Sequence, residues 1–239
     1  MKVEINISQG HKPVKDADVN VIIDVLRAFS VTFEAINNGV NKIILTGDEN
    51  EAFLIKKENP TVLLSGEVGG LKIPGFDFGN SPDEIANSEE LPGKTLVQKT
   101  TNGVTVTLLC LNASQVFVTG LSNAYTTAKY IRKLIAASQS ETVLINLVAS
   151  HPDADEDLAC ADYMKGLILG SVLCETGWNE LAANRVIRAE ASLKYFSDNT
   201  QEFSVLDILR CALPKKSNFV MQVLHSGKKV KVVKQEVEV

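Results

Sequence analysis

The chain has 239 residues, of which 45% are hydrophobic and 22% charged, with a formal net charge of -5 and a pI near 5.3. That length and composition fit a globular protein with a sizeable core, expected here as a single domain over residues 1–239. The acidic balance argues against a general nucleic-acid or anionic-membrane binder, each of which needs a basic face.

Lys2 to Ser8 alternates apolar and polar side chains, as a half-buried strand does. Val19 to Val25 is an almost continuous β-branched run, the mark of a central strand covered on both faces. Asp24 and Arg27 fall at its end, where a buried charge serves as a helix cap, an ion-pair partner or a metal ligand. Ser30 to Asn37 reads as a helix that Gly39 closes in the left-handed conformation. Asn41 to Thr46 is a second strand, Asp48 and Glu51 form a capping box for a helix ending near Asn59, and Thr61 to Ser65 is a third strand. Strand and helix alternating over short connections predict an α/β fold, a three-layer α/β/α arrangement with a mostly parallel or mixed central sheet.

Two loops follow apolar runs and carry most of the chemistry. In Ser65 to Glu84 the glycines permit tight turns and close approach of main-chain N–H groups, while Glu67 and Asp77 are hard oxygen ligands or bases. Ser81, Pro82 and Glu84 read as a helix start, whose free N–H groups and dipole favour an anion such as phosphate. In the second loop Thr100, Thr101, Asn102 and Gly103 follow the short strand Thr95 to Val97, and hydroxyls and amides at a strand end orient ligands in open α/β sheets. Both loops also read as ordinary capped connections.

The alternation continues through a strand at Gln115 to Gly120, a helix at Ser122 to Ala137 and a strand at Thr142 to Ser150. The acidic run from His151 to Asp157 then precedes a helix, where it complements the helix dipole. His151 is a candidate general acid, and His11 and His225 have no evident supporting neighbours. Helices are expected around Asn179 to Tyr195, then Phe203 to Ala212, then Ser217 to His225. Trp178 reads as a core or interface residue. Lys228 to Val239 alternates as an edge strand or a partner-facing arm would, which makes a homo-oligomer an expected state. Cys110, Cys160, Cys174 and Cys211 are widely spaced without a Cys-x-x-Cys pair, so buried thiols are expected rather than a zinc site or disulfides. No apolar run reaches the ~18 residues of a membrane span and no signal segment opens the chain, so a cytoplasmic location is expected.

Taken together, VIIDVLRAFS (Val21 to Ser30), GEVGGLKIPGFDFGNSP (Gly66 to Pro82) and the Thr100 to Gly103 turn resemble the 2-phosphosulfolactate phosphatase family of coenzyme M biosynthesis, in order and rough spacing, with a looser likeness to about Leu173. The resemblance implies a phosphomonoester phosphatase acting on a small anionic phosphorylated substrate. It implies one Mg2+ ion held by Asp24, Glu67 and the acidic pair Glu156 and Asp157, hard carboxylates being what magnesium selects. It implies catalytic roles for Asp24, Arg27 and Glu67, and substrate contacts from Ser30, Asp77, Asn80, Ser81, Thr100, Thr101, Asn102 and Gly103. Direct attack by water and a phospho-aspartate at Asp24 both remain open.

The chain departs from the family pattern at several places. Phe29 and Val31 stand where threonines are usual, Val68 replaces the arginine after Glu67, and the segment Val104 to Val106 lacks an arginine. If both arginines touched the ligand, their loss would weaken binding by ~1.5 to 3 kcal/mol for each charged hydrogen bond, with Lys72 and Lys99 as remaining cations beside Arg27. A less anionic substrate, or a relative that binds an anionic metabolite without turnover, follows as the alternative.

Overall fold

A computed structural model describes residues 1–171, 177–196, 202–227 and 229–238. In chain order the strands are β1 (Lys2–Gln9), β2 (Ala17–Ile23), β3 (Lys42–Leu45), β4 (Leu63–Val68), β5 (Leu71–Lys72), β6 (Thr95–Lys99), β7 (Ala113–Thr119), β8 (Thr142–Ala149), β9 (Phe219–Ser226) and β10 (Lys229–Glu236). The helices are α1 (Ala28–Asn37), α2 (Glu49–Glu58), α3 (Pro82–Asn87), α4 (Gly103–Leu109), α5 (Leu121–Ala137), α6 (Asp155–Ile168), α7 (Gly177–Arg188) and α8 (Val205–Ala212), with a 3-10 helix at Glu190–Phe196.

One mixed sheet runs in the order β1-β8-β2-β7-β9-β10-β3-β6-β4-β5, the α/β architecture that the alternation of elements predicts. β1, β8, β2 and β7 form one parallel block and β3, β6 and β4 another. Three antiparallel pairings through β9 and β10 separate them, so the two blocks run in opposite directions. In a flat sheet their C-terminal ends would lie on opposite edges. Yet the residues that follow β2, β8, β4 and β6 line one cavity, so the sheet turns back on itself across β9 and β10. The pairing there is thin, two residue pairs between β7 and β9 and three between β10 and β3, which accommodates strong twist.

Helix α1 lies inside this fold. Every residue from Ala28 to Ile36 is buried, as a helix enclosed on all sides requires. Phe29, Val31 and Phe33 pack with Ile22 and Val118 of the first block and Ile43 and Leu96 of the second. The opposite face of the first block is covered by α5 and α6 through Ile131, Met164 and Leu167, and that of the second by α2, with Ala52 against Leu64 and Val97.

Three expectations change. Ser217 to His225 is not a helix: Phe219–Ser226 is strand β9, pairing with β10 and β7 and burying Phe219, Val220, Met221 and Val223. Helix α1 begins at Ala28 rather than Ser30, because the Ala28 N–H donates to Asp24 Oδ1 at 2.9 Å and the turn is capped before Ser30 is reached. The C-terminal run is not an edge strand or a free arm. β10 pairs with β9 on one side and β3 on the other, and the alternation that suggested an edge is Val230 and Val232 facing the core. Cys110, Cys160 and Cys211 are free and buried; Cys174 and the Trp178 side chain lie outside the described residues. Among the described residues no helix is long and apolar enough to cross a membrane.

Candidate active site

A cavity of about 590 Å³ opens where the loops after β2, β4, β6 and β8 meet the start of α6 and the 3-10 helix. Asp24, 6% exposed, sits in its wall. Its Oδ1 accepts from the Ala28 N–H at 2.9 Å and its Oδ2 from Ser150 Oγ at 3.0 Å. Burial, joined by the charge of Glu67, pushes its carboxyl up to about 6. Gly103 is required beside it: a Cβ there would stand 2.7 Å from Asp24 Oδ2 and 2.8 Å from Ala28 Cβ.

The two acidic residues that open α6 have different surroundings. Asp157 accepts from the Val25 N–H at 2.8 Å through Oδ1, and from the Ser150 N–H at 3.1 Å, Ser150 Oγ at 3.1 Å and the His151 N–H at 3.3 Å through Oδ2. It therefore ties the loops after β2 and β8 together. Ser150 Oγ has one proton for two carboxyl groups, and burial together with the charges of Asp24 and Glu156 raises Asp157 well above the ordinary carboxylate range. Glu156 is pushed up to about 7 by burial, with Asp24 and Asp155 adding to it. Its Oε2 is buried without a hydrogen-bond partner.

Glu67 binds the two glycine- and threonine-rich loops to each other. Its Oε1 accepts from the Thr101 N–H at 2.6 Å, and its Oε2 from the Gly70 N–H at 2.6 Å and Thr101 Oγ1 at 3.1 Å. Thr100 Oγ1 accepts from the Val104 N–H at 3.1 Å at the start of α4. Asn102 contacts His11 Nε2 at 2.9 Å, giving His11 a place behind the cavity wall that its sequence surroundings do not suggest. The Asp153 N–H donates to His151 Nδ1 at 3.1 Å, leaving Nε2 to carry the proton of the neutral ring.

The structure brings Asp24, Arg27, Glu67, Asn80, Thr100, Thr101, Asn102, Glu156 and Asp157 to the cavity, and His151 with them. It places the other candidates elsewhere. Ser30 Oγ donates to the Val25 carbonyl at 2.8 Å. Asp77 pairs with Lys56 at 2.5 Å and accepts from the Leu64 N–H at 2.7 Å. Gly103 acts by packing against Asp24. Ser81 caps α3 as its sequence predicts, accepting from the Glu84 N–H at 3.1 Å, but the anion at that helix start is internal: Asp207 Oδ1 accepts from Ser81 Oγ at 2.6 Å and from the Asp83 N–H at 3.1 Å. Arg27 reaches the wall with its guanidinium engaged, donating to Asp207 Oδ2 at 2.8 Å, the Glu202 carbonyl at 2.7 Å and the Gly70 carbonyl at 3.3 Å.

The donor set fits one hard cation. Magnesium uses one or two carboxylates, keeps several waters and takes up phosphate oxygens. Asp24, whose Oδ1 is taken by the Ala28 N–H but whose Oδ2 meets the Ser150 hydroxyl, and the unpartnered Glu156 Oε2 answer that description best, whereas Glu67 and Asp157 each have main-chain N–H donors on both oxygens. Among the described residues no group of three or more His, Cys, Asp or Glu side chains is placed to hold a metal ion, so a cation here would depend on two carboxyl groups, waters and ligand oxygens.

The profile of the 2-phosphosulpholactate phosphatase family matches residues 5–223. The chain belongs to the 2-phosphosulpholactate phosphatase family. A protein of Bacillus subtilis (strain 168) named a probable 2-phosphosulfolactate phosphatase is 42% identical over 224 residues, covering 93% of this chain and 95% of the relative. One of the same name from Clostridium perfringens (strain SM101 / Type A) is 30% identical over 257 residues, covering 97% and 100%. The family match thus continues well past Leu173, into the tail.

Positions where this member of the 2-phosphosulpholactate phosphatase family departs from the pattern do not line the cavity. Phe29 and Val31 are core residues at 0% exposure. Val68 is 53% exposed at the surface, and Thr105, at the place of the second arginine, is half-buried on α4; neither is in the cavity wall. Nor do the remaining cations expected there take part: Lys72 Nζ donates to the Asp77 carbonyl at 2.8 Å and Lys99 Nζ to the Glu67 carbonyl at 3.3 Å. The wall includes instead Lys194 and Tyr195 from the 3-10 helix. Nothing in that helical stretch marks them, since Arg27, Glu67, Gly70 and Glu156, which share the cavity with them, come from distant parts of the chain.

Proposed function

We propose that the cavity hydrolyses the phosphate monoester of 2-phosphosulfolactate, or of a closely related phosphorylated hydroxy acid, with Mg2+ held by Asp24 and Glu156. Family membership supports the coarse assignment, a phosphoric monoester hydrolase. The observation that carries the assignment to this cavity is its cluster of buried carboxyl groups, Asp24, Glu156 and Asp157, with Glu156 Oε2 left unpartnered; burial pushes Asp24 up to about 6 and Glu156 up to about 7. Two such groups side by side are costly without a compensating cation.

When bound, the cation neutralises charge on the phosphate and acidifies a water. The protein's own groups do the rest. Asp24, through the oxygen that would not hold the ion, accepts the proton of the attacking water. Glu67 fixes Gly70 and Thr101, and with them the turn whose Asn102 amide orients the phosphate oxygens. Asn80 offers a buried Oδ1 without a partner, an acceptor for a substrate hydrogen or a bound water. His151, with the proton on Nε2, donates a hydrogen bond to the departing alkoxide oxygen.

The alternative, a relative that binds an anionic metabolite without turnover, rested on the missing arginines, and those positions stand off the cavity wall. The test is phosphate release from 2-phosphosulfolactate and a panel of phosphorylated hydroxy acids, with Mg2+ and then with excess chelator. Chelator-sensitive release is expected. Silence across the panel would favour the binding protein.

A further inference from the structure

Helix α8 is apolar on two faces. Its inner face, Ile208, Cys211 and Ala212 with the carboxylate of Asp207, is buried, and the helix packs against α3, α5, α7 and the 3-10 helix. Its outer face is Val205, Leu206 and Leu209, with Leu213 directly after the last helical residue, each 45% to 53% exposed. At 3.6 residues per turn these four side chains fall within one arc of about 100°. The neighbouring 3-10 helix adds Leu193 at 64% and Phe196 at 51% exposure.

A surface helix ordinarily turns polar residues away from the core. The two charged residues of α8 are both paired within the chain, Asp207 with Arg27 and Ser81, and Arg210 with Asp83 at 2.6 Å and Glu34 at 3.8 Å. No charge therefore solvates the outer face. The six exposed side chains present on the order of 500 Å² of apolar surface, the range in which a patch marks an interaction site. A standard interface takes ~800 Å² from each partner, somewhat over half of it apolar, so the patch supplies the apolar part of one.

The spacing of the leucines indicates what covers them. Leu206, Leu209 and Leu213 are separated by three and then four residues, the a and d spacing of a helix seam, whose holes are filled by knobs of the same spacing. A helix ridge is convex, which suits another protein surface better than a small molecule. Across a two-fold axis a single seam meets itself, which is the self-complementary patch that an isologous dimer requires. The C-terminal run, expected from its alternation to face a partner, is interior to the sheet and leaves that role open.

We propose that this face joins two copies of the chain, α8 packing antiparallel against its counterpart about a two-fold axis near Leu209, with Leu193 and Phe196 at the flank. The 3-10 helix that lends these two to the interface lends Lys194 and Tyr195 to the cavity wall, so each copy braces the other's wall from behind.

Sedimentation velocity at micromolar chain concentration should give the wild-type protein twice the 25.9 kDa of one chain. Leu209→Glu sets a charge at the centre of the apolar contact and should return the mass to that of one chain, with an unchanged circular dichroism spectrum. Cys110, Cys160 and Cys211 are buried, so oxidation of Leu209→Cys should link two copies through the new thiols, while Leu54→Cys, exposed on α2, stays unlinked. A wild-type monomer, an assembly of more than two chains, or a dimer that persists in folded Leu209→Glu overturns the proposal. If Leu209→Glu does not fold, the two cysteine variants decide: linkage in Leu209→Cys alone upholds the face, and linkage in both or in neither overturns it.

Discussion

Arg27 and Asp207, 180 positions apart in the chain, form a buried ion pair with Nη1 2.8 Å from Oδ2 and side-chain exposures of 2% and 0%. The other oxygen of Asp207 takes the Ser81 hydroxyl and the Asp83 N–H at the start of α3. One carboxylate thus joins the segment after β2, the glycine-rich loop and α8. Removing one partner of a buried pair strands the other charge, at a cost of ~3 to 5 kcal/mol. Asp207→Asn should lose that much in urea unfolding, with a fall in Tm of ~10 °C for a chain of this size. A loss below ~1 kcal/mol would show that the pair does not organise the site.

Gly103 carries a different prediction. A methyl group there meets Asp24 Oδ2 at 2.7 Å, so Gly103→Ala should push the carboxylate out of place while the fold holds. A displacement of ~1 Å at a reacting group costs on the order of a hundredfold in rate. Steady-state phosphate release should fall by at least that factor with the circular dichroism spectrum unchanged. Retained activity would place Asp24 outside the reaction.

Glu156 couples stability to pH. Its carboxyl titrates at about 7 in the folded protein against 4.5 ordinarily, so between those values the folded state binds more protons and stability falls as pH rises, levelling off above the folded value. In metal-free protein, Glu156→Gln should therefore be more stable than wild type at pH 8, by ~2 to 3 kcal/mol, with the difference vanishing near pH 4. Mg2+ should stabilise wild type more at pH 8 than at pH 5.5, and do less for the variant. Urea midpoints that show no pH-dependent gap would contradict this account of the carboxyl pair.

Asp24 also bears on the nucleophile. Both of its oxygens accept hydrogen bonds, from Ala28 N–H and Ser150 Oγ, which suits a base or metal ligand better than an attacking group. Acid quenching of a single turnover with 32P-labelled ester should leave no label on the protein. Stoichiometric label on Asp24 would establish the phospho-aspartate route instead.

How much of this was legible in the sequence depended on the range of the interaction involved. The β-branched run before Asp24, the Ser81 cap and the Gly39 terminus each report local backbone preferences, and each is found where local chemistry puts it. Ser81 was read correctly as a cap and incompletely as an anion site, because the anion it meets is Asp207, 126 positions away. The alternation of the C-terminal run reports one buried face and not which strands flank it, so an interior strand resembled an edge. Glu67 and Asp157 were singled out as metal ligands; their main-chain hydrogen bonds, visible only after folding, make them the ties between loops. Lys194 and the contact of His11 with Asn102 had no local signal.

The most direct test is phosphate release from 2-phosphosulfolactate by wild type and Asp24→Asn, each with Mg2+ and then with excess chelator. The account predicts turnover in one condition of the four, wild type with Mg2+, and activity reduced by at least a thousandfold in the variant. Near-normal turnover by Asp24→Asn, or wild-type turnover that survives the chelator, would contradict a reaction centred on Asp24 and a magnesium ion.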